Sequence, residues 1–121
     1  LKPPGRVGDS PIPGAGTYAT GLAAASATGH GESLMRHLAT RSVCDLAAGG
    51  TPPQEAVVRV LSHIAEVSTH EAGLIALTRD GAIGIAHGTP AMPHAWACEA
   101  GAGVAARFAC AAPAQYGSSA G

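Results

Sequence analysis

GLIALTRDGAIGIAH, residues 73–87, holds two short apolar runs, Gly73 to Thr78 and Ala82 to His87, around Arg79-Asp80-Gly81. Asp-Gly is a turn signal because both residues tolerate a positive φ, so the stretch predicts a β-hairpin. Upstream the period changes. Val57, Val60, Leu61 and Ile64 recur at i, i+3, i+4 and i+7, the one-sided stripe of a helix that must pack against another layer. Thr51 as N-cap, Pro52 at the first helical position and Gln54 closing a T-x-x-Q capping box set its start, and it is expected to run to about Val67. A helix followed by a hairpin makes the fold class α+β, with helices covering one face of a mainly antiparallel sheet.

Further upstream, LAAASAT at 22–28 suits a buried strand whose small side chains let a neighbouring layer come close. Met35, Leu38, Ala39, Val43 and Leu46 fall near one face of a helix expected from about 31 to 48, stopped by Gly49-Gly50. Residues 1–21 are dense in Pro and Gly and read as a shaped loop. Residues 102–121 are rich in Ala, Gly and Ser, and read as a poorly ordered extension beyond a domain at 1–101. Two or three strands make a poor sheet, so the chain is expected to be part of a larger fold.

Composition narrows the function. Of 121 residues, 46% are hydrophobic but only 3% aromatic, so the core must be built from Ala, Val, Leu and Ile. A net charge of −1 and a single lysine, Lys2, give no basic stripe for nucleic acid. Every apolar run is broken well before the roughly 20 residues that a membrane-spanning helix needs. Leu1-Lys2-Pro3-Pro4-Gly5 is followed by no apolar stretch of a signal peptide. Cys44, Cys98 and Cys110 are odd in number and form no CxxC, which predicts a reducing compartment and a cytoplasmic protein.

Two loops carry candidate chemistry. Gly5-Arg6-Val7-Gly8-Asp9-Ser10-Pro11 places a guanidinium and a carboxylate three residues apart on a stiffened loop, donors and an acceptor suited to an α-amino acid. The alternative is an internal Arg6–Asp9 ion pair that holds the loop. Thr28-Gly29-His30-Gly31-Glu32 sits at a strand-to-helix junction, where Thr28 and Gly29 suit an oxyanion hole; an ordinary glycine-rich turn is the alternative. His30 is either a general base or a shaping residue. Gly14-Ala15-Gly16-Thr17-Tyr18-Ala19 matches GxGxxG/A loosely, but Pro11 and Pro13 precede it and no amphipathic helix follows directly. The six histidines fall into i, i+7 pairs (His30/His37, His63/His70, His87/His94), a spacing that puts no two ligands within one helical turn, so no metal and no cofactor is expected. GxSxG is absent.

Together, GRVGDSPIPGAGTYA and SATGHGESLMRHLA resemble the β-subunit of the plant-type L-asparaginase/isoaspartyl peptidase family, N-terminal nucleophile hydrolases that include glycosylasparaginase. The resemblance covers residues 4 to about 101, with AGLIALTRDGAIGIAHGTPAMPHAW falling where the family has its closing hairpin. DSPIPGAG looks closer to glycosylasparaginase, and TGHGES closer to the asparaginase branch, which is preferred. The resemblance implies a partial αββα sandwich, and hydrolysis of L-asparagine and β-aspartyl peptides by a self-cleaved precursor. Its nucleophile is a Thr whose own α-amine takes the hydroxyl proton. By the same resemblance Arg6 binds the substrate α-carboxylate and Asp9 its α-ammonium, with Val7 and Gly8 shaping the loop. Thr28 and Gly29 donate to the oxyanion, and His30 and Gly31 line the pocket. The implied partners are the small-molecule substrate and the α-subunit of the same precursor, in an (αβ)2 dimer.

None of the internal threonines (Thr17, Thr20, Thr28, Thr40, Thr51, Thr69, Thr78, Thr89) sits in the nucleophile's context, so this chain is expected to be catalytically incomplete. The apolar faces of its two expected helices are expected to lack part of their partner layer. The rival readings are a glycosylasparaginase and a truncated protein that binds an amino acid or a partner without cutting it.

Overall fold

The computed structural model describes residues 3–96. Four strands, β1 (Thr17–Ala19), β2 (Ala23–Gly29), β3 (Ala72–Thr78) and β4 (Ile83–His87), form one antiparallel sheet in the order β1-β2-β3-β4. Between β2 and β3 run α1 (Gly31–His37), α2 (Ala39–Ala48) and α3 (Pro53–Val67). The α+β class and the helix-covered face agree with the sequence reading.

Small residues decide how close the layers come. Tyr18, Ala25, Ala76 and Gly84 lie in one row across the sheet on the helical face. A Cβ on Gly84 would lie 2.3 Å from the Pro53 carbonyl oxygen, so the start of α3 rests on bare backbone of β4. Leu34, Val43, Val57, Leu61, Ile64 and Leu74 fill the space between. Burying side chains of this size contributes about 1.5–3 kcal/mol each. The helices' apolar faces are therefore partnered by the sheet, contrary to expectation. It is the opposite face of the sheet that is open: Ile75, Leu77 and Ile83 are 44%, 50% and 37% exposed, with Ala24 beside them. Strand alternation explains this, since the apolar residues of β3 and β4 occur at both parities and helices can cover only one.

Three local readings are corrected. The loop expected at 1–21 contains strand β1, which pairs with β2 while Tyr18 packs on the core. Gly14, at φ +89°, turns the chain into it, with Gly14 N–H donating to the Thr17 carbonyl at 2.9 Å. The single helix expected at 31–48 is broken at Leu38, whose φ of 45° and ψ of 53° are left-handed. That conformation costs about 1–2 kcal/mol in a residue with a Cβ. Tertiary bonding offsets it: Arg41 N–H, at the start of α2, donates to the Gly14 carbonyl at 3.0 Å, and Ser42 Oγ donates to the His37 carbonyl at 3.1 Å.

The capping box is the third correction. Pro52 is the N-cap of α3, with no side-chain cap bond, and the helix begins at Pro53. Gln54 turns to β4 instead. Its Nε2 donates to the Ile85 carbonyl at 3.0 Å, and its Oε1 accepts from Ile85 N–H at 2.9 Å. β4 ends the sheet, and unpaired edge groups are a liability. One glutamine side chain closes that edge at Ile85 as a neighbouring strand would. The hairpin forms as expected, with Gly81 at φ +90° and Thr78 N–H donating to the Ala82 carbonyl at 2.9 Å. The extension expected at 102–121 lies outside the described residues, as do Cys98 and Cys110.

Candidate functional site

The N-terminal loop is folded around Asp9. Its carbonyl accepts from Ile12 N–H at 3.0 Å and Gly16 N–H at 3.1 Å. Its carboxylate lies against two glycines from different segments. A Cβ on Gly16 would come 2.6 Å from Oδ2, and one on Gly31 would come 3.0 Å from Oδ1. The two candidate loops, far apart in sequence, thus meet at this side chain.

Arg6 is exposed, and its N–H donates to the Pro3 carbonyl at 3.2 Å. Among the described residues no ion pair joins Arg6 to Asp9, so the internal pair offered as the alternative does not form. The guanidinium instead lies in the field of Glu32. The Glu32 carboxyl is held below its ordinary value of 4.5, first by a backbone hydrogen bond, then by His30, with smaller contributions from Arg6 and His70. Val7 is exposed, and nothing packs where a Cβ on Gly8 would stand.

Thr28 and Gly29 end β2. Thr28 is exposed and pairs with Gly73 in register, on the open face of the sheet. Its hydroxyl has no hydrogen-bond partner among the described residues. Gly29 takes φ +133°, and a Cβ there would lie 2.6 Å from the Glu71 carbonyl oxygen and 2.7 Å from Ala72 Cα. Only glycine tolerates that combination of dihedral and close approach. Gly31 is buried under Asp9.

His30 is half-buried, with Nε2 at 3.3 Å from Glu32 Oε2 and Nδ1 at 3.1 Å from Ser33 Oγ. Its ring stacks on His70, with centroids 3.6 Å apart. His37 meets His63 edge-on at 5.4 Å. The i, i+7 histidines therefore pair crosswise between α1 and the α3 region, rather than along one helix. Among the described residues no three His, Cys, Asp or Glu side chains gather as metal ligands. Cys44 is buried and unpaired, and burial pushes its thiol above the ordinary range. No described helix is long and apolar enough to cross a membrane.

Residues beyond the two motifs also reach the site. Ser68, His70 and Glu71, in the connection between α3 and β3, touch the 29–33 segment. Met92 covers Gly73 beside Thr28: a Cβ on that glycine would lie 2.3 Å from Met92 Sδ and 3.3 Å from Thr28 Cγ2. The spacing of the histidines was the one sequence signal near Ser68 and His70. Met92 carried none.

Residues 1–106 match the family described as Asparaginase. The chain belongs to that family. Its relatives include N(4)-(Beta-N-acetylglucosaminyl)-L-asparaginase of Rattus norvegicus, 52% identical over 65 residues, which span 53% of this chain and 19% of that protein. Isoaspartyl peptidase of Escherichia coli is 40% identical over 97 residues, 78% of this chain and 30% of that protein. N(4)-(Beta-N-acetylglucosaminyl)-L-asparaginase of Elizabethkingia miricola is 38% identical over 89 residues, 66% and 26%. This asparaginase-family chain thus spans less than a third of the length of each.

Proposed function

We propose that this chain supplies the substrate-binding and oxyanion portion of an amidohydrolase acting on L-asparagine and β-aspartyl (isoaspartyl) peptides. The observation that carries the reading is the meeting of the two loops at Asp9, with the Arg6 guanidinium left unpaired by it. A guanidinium and a carboxylate on one loop that do not pair with each other match the α-carboxylate and α-ammonium of an amino acid, each through charge-assisted hydrogen bonds. The side-chain amide of that substrate then extends toward Thr28 and Gly29.

In this reading a threonine from elsewhere in the whole protein attacks the amide carbon, its α-amine taking the hydroxyl proton. Negative charge develops on the former carbonyl oxygen. The Thr28 hydroxyl and Gly29 N–H donate to it, and such donors act most strongly where water is excluded. Collapse expels the amine, which takes that proton from the threonine's α-ammonium, and water frees aspartate from the resulting ester. The open sheet face of Ile75, Leu77 and Ile83 takes the second sheet of an αββα sandwich, and the α-subunit and an (αβ)2 dimer complete the assembly. The Thr28 hydroxyl, exposed on that same face, supports this placement.

A glycosylasparaginase is the second reading, favoured by the 52% identity to the rat protein. Aspartate release by the whole protein from L-asparagine, an isoaspartyl dipeptide and N-acetylglucosaminyl-asparagine separates the two. Arg6→Ala tests the binding assignment. Removing a charge-assisted fork costs about 1.5–3 kcal/mol per bond, so KM rises at least about tenfold. An unchanged KM in a folded variant overturns it.

A further inference from the structure

We propose that Ser68 and His70, in the connection between α3 and β3, are positioning residues that, with Glu32, hold the His30 ring in one orientation and one tautomer and thereby hold the Thr28-Gly29 donor pair. The inference rests on the oxyanion role proposed above for that pair.

A chain of hydrogen bonds runs through the connection. His70 N–H can only donate, so Ser68 Oγ accepts from it at 3.1 Å. Ser68 Oγ stands 3.1 Å from Ser33 Oγ, which stands 3.1 Å from His30 Nδ1. Two directions satisfy these bonds, and Glu32 selects between them. Its carboxylate faces His30 Nε2 at 3.3 Å and is held in the ionised form. An Nε2 lone pair aimed at a carboxylate is repelled, whereas Nε2–H donates to it. The neutral ring therefore carries its proton on Nε2. Nδ1 accepts from Ser33 O–H, and Ser33 accepts from Ser68 O–H. Every donor in the line then points the same way, from His70 N–H to Glu32.

The ring is also held face-on by His70, at 20° between planes. The backbone is held in parallel: His30 N–H donates to the Glu71 carbonyl at 3.3 Å, and Gly29 lies against Glu71 and Ala72. Ser33 is buried, so its hydroxyl has little access to water as a substitute partner. The α3–β3 connection thus grips the turn from the side opposite Asp9. A donor displaced by even 1 Å loses much of its effect on a developing charge, which is why a contact one residue removed from substrate affects turnover and leaves ground-state binding alone.

The test uses the whole protein. Ser68→Ala and His70→Ala are expected to lower kcat for aspartate release about tenfold, with KM within about twofold of the parent. Ser68→Thr, which keeps the hydroxyl, and His70→Phe, which keeps a stacking ring, are expected to restore it. A kcat within twofold in both alanine variants overturns the proposal, as does a loss that neither conservative variant rescues. A second readout needs no turnover. With ¹⁵N-labelled histidine, the His30 signal of the neutral ring, assigned against His30→Gln, is expected to be the Nε2–H tautomer. An Nδ1–H tautomer overturns the proposal. If the parent releases no aspartate, the functional reading fails, and the grip on His30 is read from Ser68→Ala: ¹⁵N shifts of His30 that stay at the parent's values in that variant overturn it.

Discussion

Replacing Gln54 by Ala removes both bonds to the Ile85 backbone, at 3.0 and 2.9 Å, and leaves the edge of β4 unpaired there. An intramolecular hydrogen bond contributes about 0.5–1.5 kcal/mol net, so the pair is worth about 1–3 kcal/mol. Alanine's better helix propensity returns a few tenths. Gln54 and Ile85 are both half-buried, so water meets part of the demand, and the expected loss is about 1–2 kcal/mol. With a urea dependence of about 1–3 kcal/mol/M, the midpoint falls by about 0.3–2 M. Gln54→Glu retains the acceptor for Ile85 N–H but loses the donor to the carbonyl, and should fall between the two. Native-state hydrogen exchange supplies the local check: the Ile85 amide exchanges faster in Gln54→Ala, while Leu74 amide protection is unchanged relative to the global loss. A midpoint shift below about 0.1 M together with an unaltered Ile85 amide would refute the edge-closing role.

Gly29→Ala should destabilise the protein by about 2 kcal/mol or more, because the Cβ meets Glu71 and Ala72 at a φ of +133°; wild-type stability in chemical denaturation would contradict this. Glu32 gives the pH dependence. Its folded-state pKa lies below the ordinary 4.5, so its stabilising contribution is complete above that value and disappears as pH falls through the folded-state pKa. Glu32→Gln should therefore be less stable than the parent above about pH 4.5 and equal to it at the acid extreme; parallel stability curves throughout would refute the assignment. Thr28→Val should lower turnover about 10²-fold if its hydroxyl reaches the oxyanion, read as kcat for aspartate release.

The parts legible in the sequence are those set by local period and turn chemistry. The two apolar runs around Asp80-Gly81 gave β3 and β4, and the stripe through Val57, Val60, Leu61 and Ile64 gave α3. The rest depended on partners distant in sequence. β1 exists because it has β2 to pair with, the break at Leu38 because Gly14 accepts from Arg41, and Gln54 is drawn from a local cap to an edge strand. The site followed the same division. Arg6, Asp9, Thr28 and Gly29 stood out through glycine-flanked motifs, and the structure brings Asp9 and Gly31 together. Ser68, His70 and Met92 lie outside the two loops, and only the return of β3 beside β2 carries them to the site.

The lodging of Asp9 between Gly16 and Gly31 bears on how this loop can be varied. A methyl group at position 16 would meet the Asp9 backbone as well as its carboxylate, all at 2.6 Å, so no change of side chain at position 9 makes room for it. At position 31 the tight contact is with the Asp9 side chain, Oδ1 at 3.0 Å, while the nearest backbone atom stands at an ordinary 3.5 Å. Substitutions at 9 and 31 are therefore coupled in sign: Gly31→Ala is harmful in the parent and tolerated once Asp9→Ala has vacated the gap. A library that changes one position at a time will find positions 16 and 31 closed to larger residues, and only paired changes at 9 and 31 will reveal which other ligands this geometry can be made to accept.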